Sequence, residues 1–264
     1  MISNHEIDYR IFGEEMQYVE VELDPNETAI AEPGAFMMMD DGITMETLFG
    51  DGSQQKGGFL NKLVSAGKRM LVGENLFMTA FTNIDTGKRH VSFASPYPGK
   101  IIPIDLQQLG NKVICQKDAF LCAAKGVSVG IEFQRRLGTG LFGGEGFIME
   151  KLEGDGMAFL HACGHVLRKE LRAGETLKID TGCIVGFTAT VDYDIQFVGG
   201  IKNTIFGGEG LFFANLTGPG TVWIQTLPIS RLAGRILQYA TTSRREEGSV
   251  LGGLGNLLDG DGWR

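Results

Sequence analysis

Residues 141–156, LFGGEGFIMEKLEGDG, and residues 205–220, IFGGEGLFFANLTGPG, align without a gap and are identical at 8 of 16 positions. The register that sets 141 over 205 persists on both sides. Asp118-Ala119-Phe120-Leu121 lies over Gly182-Cys183-Ile184-Val185, and Val127 lies over Val191. Downstream, Met157-Ala158-Phe159-Leu160 lies over Thr221-Val222-Trp223-Ile224. A fixed period marks stacked supersecondary units, none of which buries its apolar face alone. A third copy stands at the N-terminus. Pro33-Gly34-Ala35-Phe36-Met37 matches the 118 and 182 segments, and Gly73-Glu74-Asn75-Leu76-Phe77 matches Gly144-Glu145-Gly146-Phe147-Ile148. Positions 34 and 73 stand farther apart than 118 and 144, or 182 and 208, which share one spacing. The first copy therefore carries an insertion within 48–72.

Each unit reads as β. Val19-Glu20-Val21-Glu22-Leu23 and Val191-Asp192-Tyr193-Asp194-Ile195-Gln196-Phe197 alternate apolar and polar, the period of a half-buried strand. Turn signals such as Asp24-Pro25-Asn26, Asp41-Gly42, Thr86-Gly87 and Pro219-Gly220 separate the runs. The 39 glycines in 264 residues, about twice the ordinary share, punctuate those turns. The expected fold class is all-β, with short strands in sandwiches or barrels and one or two short helices. One helix is expected over 59–70 inside the insertion. The other is expected over 230–239, with Ser230 as N-cap and Leu232, Ile236 and Leu237 on one face. The division is then repeat 1 over 1–98 with its insertion at 48–72, repeat 2 over 99–164, repeat 3 over 165–228, and a helix with a Gly-rich tail over 229–264.

Composition narrows the function. The net charge of −8 weighs against nucleic acid as a partner, since basic side chains are what displace phosphate counterions. The polar start MISNHEIDYRIFGEE has no signal-peptide pattern, and no apolar run approaches the ~20 residues of a membrane span, so a cytoplasmic chain is expected. Cys115, Cys122, Cys163 and Cys183 form no C-x-x-C pair and read as reduced, mostly buried residues.

Several motifs imitate chemistry. Gly138-Thr139-Gly140-Leu141-Phe142-Gly143 fits G-x-G-x-x-G, but the segment after it is a repeated β run where a dinucleotide site requires a helix. Gly126-Val127-Ser128-Val129-Gly130 fits G-x-S-x-G, yet Ser128 falls within a strand and its third-copy partner is Asp192. Asp259-Gly260-Asp261-Gly262 opens like a calcium loop, but the sequence after it is too short for the loop's closing Glu. His161, Cys163 and His165 alternate as one face of a strand would, the best metal arrangement in the chain. Only His5 and His90 remain to complete a ligand set, so a connector between repeats is the preferred reading. Met37-Met38-Met39 reads as gap-filling core. The pairs Gly73-Glu74, Gly144-Glu145 and Gly208-Glu209 recur once per unit. A carboxylate capping a turn or joining units is needed in every copy, whereas a catalytic group is not. No catalytic, cofactor-binding or metal-binding residue is assigned.

Asp118-Ala119-Phe120-Leu121-Cys122-Ala123-Ala124, Phe142-Gly143-Gly144-Glu145-Gly146-Phe147, Val191–Phe197 and Phe206-Gly207-Gly208-Glu209-Gly210-Leu211 resemble the signatures of one group. It is the bacterial family related to altered inheritance of mitochondria protein 24, and Pro96-Tyr97-Pro98-Gly99-Lys100 and Leu251-Gly252-Gly253-Leu254-Gly255 fit it too. The resemblance implies three units per chain, each a small β-sandwich of the double-stranded β-helix type. The fold would be like the trp RNA-binding attenuation protein, with side-by-side association into rings, as homotrimers. It brings no established enzyme chemistry. Eukaryotic members are linked to mitochondrial inner-membrane organisation. The leading expectation is a ring-forming scaffold with an unknown protein partner and a peripheral membrane contact. The alternatives are RNA binding by analogy of fold and a metal-dependent enzyme of the cupin type, for which the chain has few His.

Overall fold

The computed structural model describes residues 4–49, 77–135, 147–197, 212–237 and 239. The chain is all-β. The first strands are β1 (Asp8–Phe12), β2 (Tyr18–Leu23), β3 (Thr28–Ala31), β4 (Phe36–Met39), β5 (Ile43–Phe49), β6 (Phe77–Asn83) and β7 (Arg89–Ala94). There follow β8 (Gly99–Asp105), β9 (Lys112–Gln116), β10 (Phe120–Ala124), β11 (Ser128–Arg135), β12 (Phe147–Glu153) and β13 (Met157–Cys163). The last are β14 (Val166–Leu171), β15 (Thr176–Asp180), β16 (Ile184–Thr188), β17 (Asp192–Phe197), β18 (Phe212–Thr217) and β19 (Gly220–Gln225). Two 3-10 turns, Lys117–Ala119 and Thr181–Cys183, precede β10 and β16. A helix, α1, begins at residue 229. The two turns start in the register that sets 141 over 205, and so do β9 and β15, β10 and β16, and β11 and β17.

The strands form four sheets: β1-β2-β7-β4, β5-β6-β3-β10-β13-β8, β11-β12-β9-β16-β19-β14 and β15-β18-β17. Among the described residues, three apolar cores lie between consecutive sheets. The alternating strand β2 shows how a core is supplied: Val19, Val21 and Leu23 are fully buried while Tyr18, Glu20 and Glu22 face the other way.

Each six-stranded sheet is joined at its middle by one antiparallel pair. In the second sheet β3 meets β10, with Ala31 opposite Cys122 and Ala29 opposite Ala124. In the third, β9 meets β16, with Cys115 opposite Gly186 and Val113 opposite Thr188. Strands β3, β10 and β16 are buried on both faces, because cores lie above and below them. That explains their small residues. A Cβ on Gly186 would stand 2.8 Å from the Ile114 carbonyl oxygen and 3.2 Å from the Cys115 Cβ.

Two expectations fail here. Met37, Met38 and Met39 are 49%, 44% and 37% exposed, so they do not fill a core. They lie on β4, which pairs only with β7 among the described strands, so no neighbour covers them. Ser230 does not cap α1. The Arg231 and Leu232 amides both donate to the Pro228 carbonyl, which places the helix start before Ser230. Ile236 and Leu237 on α1 are 59% and 64% exposed. The expected helix at 59–70 and the tail beyond 239 lie outside the described residues.

Candidate functional site

Several polar groups of the interior gather around the turn Lys117–Ala119, where β9 hands over to β10. The Tyr97 hydroxyl donates to the Asp118 carbonyl at 3.0 Å. Its ring lies 4.9 Å from that of His161 on β13, tilted by 53°. Beside them, Gln225 on β19 is pinned at both ends. Its Oε1 accepts from the Cys163 amide and its Nε2 donates to the Gly182 carbonyl, each at 2.9 Å. Arg231 of α1 reaches Asp180, the last residue of β15 in the fourth sheet, at 2.6 Å. These groups surround a cavity of ≈ 220 Å3 that His161, Gln116, Lys117, Asp118, Ile148 and Ser230 help to line.

On the other side of Lys117 a second cavity of ≈ 150 Å3 contains two carboxyls, Glu32 and Glu150. Burial raises Glu32 to about 7, with Asp118 adding repulsion and Lys117 opposing it. Glu150, on β12 opposite Cys115, is raised to about 8 by burial first and by Glu32 next, with Lys117 again opposing. Burial also pushes His161 down, to about 4, against a hydrogen bond with the Phe120 backbone. Both acids and the imidazole are thus biased toward their neutral forms.

The sequence candidates fare differently. Gly73, Glu74, Gly144, Glu145, Gly208 and Glu209 lie outside the described residues. The strands after them, β6, β12 and β18, are central in β5-β6-β3, β11-β12-β9 and β15-β18-β17. The segment 138–143 is also outside, and the next element along the chain is the strand β12. Ser128 opens β11 opposite Glu153, between the buried Val127 and Val129. His161 and Cys163 lie on β13, both buried, but His165 does not continue their face. Gly164 adopts φ +78°, which ends the strand, and the His165 amide turns to the Thr226 hydroxyl at 2.9 Å. Among the described residues no group of three or more His, Cys, Asp or Glu is placed to hold a metal ion. The four cysteines are free, three of them buried, and burial raises each thiol. No helix among the described residues is long and apolar enough to cross a membrane.

Glu32, Glu150 and Tyr97 were not singled out by sequence. For Glu150 a signal existed: the alignment of 141–156 on 205–220 sets it over Ala214, so the two segments differ there by a carboxyl.

Shared sheets with carboxyls and an imidazole buried where one sheet hands over to the next define an all-β protein whose polar interior is internal to its joints. The chain belongs to the family described as Mitochondrial biogenesis AIM24, whose model matches residues 9–227. An uncharacterised protein of Streptococcus pyogenes serotype M6 is 30% identical over 228 residues, spanning 85% of this chain and 87% of that one. The crystal structure of a Streptococcus pyogenes protein superposes with a TM-score of 0.70 at 24% identity, covering 89% of this chain and all of the other. That second likeness is one of fold.

Proposed function

We propose that the protein is a non-enzymatic scaffold whose copies join head to tail into a closed ring, a homotrimer of chains with three tandem units each. The units are of the double-stranded β-helix type, like those of the trp RNA-binding attenuation protein. The carrying observation is a pair of complementary edges. Strands β2-β7-β4 have the connectivity of β8-β13-β10 and β14-β19-β16, and β5-β6-β3 that of β11-β12-β9 and β17-β18-β15. Within the chain, β3 pairs with β10 and β9 with β16. By the same pattern, among the described strands β15 lacks a following β4-like strand, and β4 lacks a preceding β15-like one. A second copy supplies both. Ile179 holds the place in β15 that Ala31 holds in β3 and Cys115 in β9. Met38 holds the place in β4 that Cys122 holds in β10 and Gly186 in β16. The internal pairs Ala31 with Cys122 and Cys115 with Gly186 therefore set Ile179 opposite Met38 of the next copy. Such a heterologous joint closes into a ring or runs on as a filament, according to its rotation.

The exposed Phe36 and the three methionines beside it support the reading, since an apolar edge strand left open is an association hazard. The net charge of −8 favours a protein partner over nucleic acid. Helix α1, with Ile236 and Leu237 exposed next to Arg235, is the face assigned to that partner or to a peripheral membrane contact.

Size-exclusion chromatography with light scattering tests the assembly. The expected mass is about three times the 28.7 kDa of the chain, by closure of a head-to-tail joint. Met38→Lys and Leu177→Lys, one on each edge, should each yield monomer. A monomeric wild type at micromolar concentration, or a closed twofold dimer indifferent to both substitutions, would overturn the proposal.

A further inference from the structure

The antiparallel pair that joins the two halves of the second sheet ends under a short N-terminal segment. At that end Lys125 follows β10, and its amide donates to the Thr28 carbonyl at 3.0 Å. His5 bridges the same two strands. Its own amide donates to the Lys125 carbonyl at 3.0 Å, and its Nδ1 accepts the Thr28 amide at 2.9 Å. Its neighbours complete the hold. The Asn4 amide donates to the Asp155 carboxylate at 2.9 Å, in the turn between β12 and β13, and Ile7 is buried in the core between the first two sheets. The turns beneath leave room for Asn4. A Cβ on Gly126 would stand 2.6 Å from the Asn4 side chain, and one on Gly156 would stand 2.8 Å from it. Gly126 also adopts φ +105°, a backbone that suits glycine. The register that sets 141 over 205 puts Gly220 over Gly156, and there a Cβ would instead meet the side chains of Thr188 and Thr190. That turn is filled from its own neighbourhood, whereas the turn at Gly156 is filled by the distant N-terminal segment.

We propose that residues 4–7 form an acid-released strap, with His5 as the latch across the β3–β10 joint. A peptide N–H can only donate, so the bond from Thr28 requires a lone pair on Nδ1. Protonation puts a second N–H there, removes the acceptor and sets two donors against each other. The Thr28 carbonyl, the nearest backbone acceptor for an imidazolium, already holds the Lys125 amide. The elements that hold His5 carry Glu27 ahead of β3, Lys125 after β10, Asp155 between β12 and β13, and Glu6 on the strap. Among these, Lys125 acts on the imidazole. Burial first and the Lys125 charge next hold His5 below its ordinary 6.5, against a smaller opposing pull from the Thr28 backbone. The latch is therefore whole above pH 6.5 and weakens as pH falls below it, because the released strap binds the extra proton. The device lies within one chain and does not depend on ring assembly.

Amide exchange of the full chain at pH 7.5 and 5.0 tests it, read by mass spectrometry and corrected for the intrinsic effect of pH on exchange. A peptide over 24–31 contains the Thr28 amide, and one over 112–116 in the third sheet reports any global loosening. Wild type is expected to exchange over 24–31 on the order of tenfold faster at pH 5.0, with 112–116 steady. His5→Asn offers a carbonyl oxygen in place of Nδ1 and does not titrate, whereas His5→Ala offers no acceptor. Both should lose the pH step, and His5→Ala should exchange fast at either pH. The proposal is overturned by a wild type without the step, by a step shared with 112–116, or by one that persists in either variant. His5→Ala as well protected as wild type at pH 7.5 would overturn it too.

Discussion

The Arg231 guanidinium stands 2.6 Å from the Asp180 carboxylate, tying the first turn of α1 to the last residue of β15. Asp180 also accepts the Gly182 amide at 2.9 Å, so one side chain holds the 3-10 turn and the helix together. The helix start is thereby fixed against the strand whose outer edge is assigned to a second copy.

This pair is part-exposed, so its worth is small. Arg231→Ala should lower stability by less than about 1 kcal/mol. The visible effect should be local: faster proteolysis within 229–237, with global melting almost unchanged. Limited proteolysis followed by mass spectrometry measures it.

Glu150 gives a pH dependence with a definite sign. Its carboxyl is raised from the ordinary 4.5 to about 8 in the folded chain, so between those values the folded state holds more protons than the unfolded one. Stability is full below pH 4.5 and falls as pH rises toward 8. Glu150→Gln should remove that fall, stabilising the protein by on the order of 1–3 kcal/mol at pH 8 and by little at pH 5. Melting temperatures of both proteins across pH 5 to 8.5 check it.

His161 acts in the opposite sense. Its imidazole is lowered from 6.5 to about 4, so below pH 6.5 the unfolded chain binds the extra proton. Its contribution is full above 6.5 and is lost as pH falls toward 4. His161→Gln should flatten the acid limb of the stability curve and leave the alkaline limb alone, which denaturant melts at pH 4.5, 5.5 and 7 would show.

The β9–β16 pair tests packing without charge. Gly186→Val inserts a branched side chain against the Ile114 carbonyl and the Cys115 Cβ. A cost of about 1–3 kcal/mol is expected from overpacking, read as a shifted urea midpoint at unchanged slope.

Asn83 is fully buried at the end of β6. Its Nδ2 donates to the Leu23 and Gly87 carbonyls, both at 2.8 Å, and its Oδ1 accepts the Asp85 amide at 2.9 Å. Asn83→Leu leaves those groups unpaired. A loss of about 2–3 kcal/mol is expected, together with faster amide exchange over 84–88.

Much of this architecture was legible before any coordinates. The likeness of two segments came from identities such as Phe142-Gly143-Gly144-Glu145-Gly146 over Phe206-Gly207-Gly208-Glu209-Gly210, and the alternation at Val19–Leu23 made the strands readable because side-chain direction in a strand has a period of two. What could not be read was which strands share a sheet. Hydrogen bonding between β3 and β10 brings Ala31 to Cys122 from far along the chain, and no local pattern encodes it. The exposure of Met37–Met39 was misjudged for that reason: the run is apolar enough for a core, and only the sheet order leaves it at an open edge. The half-buried carboxyl of Glu32, the buried one of Glu150 and the buried imidazole of His161 are likewise products of the tertiary structure. A Glu or His in a strand looks alike whether it faces water or a neighbouring sheet, and its protonation is decided by what folds over it. By itself the sequence determined the likeness of 141–156 to 205–220, the strand period and the family. The joints between sheets, the edges left open and the chemistry of the polar interior were decided by long-range packing.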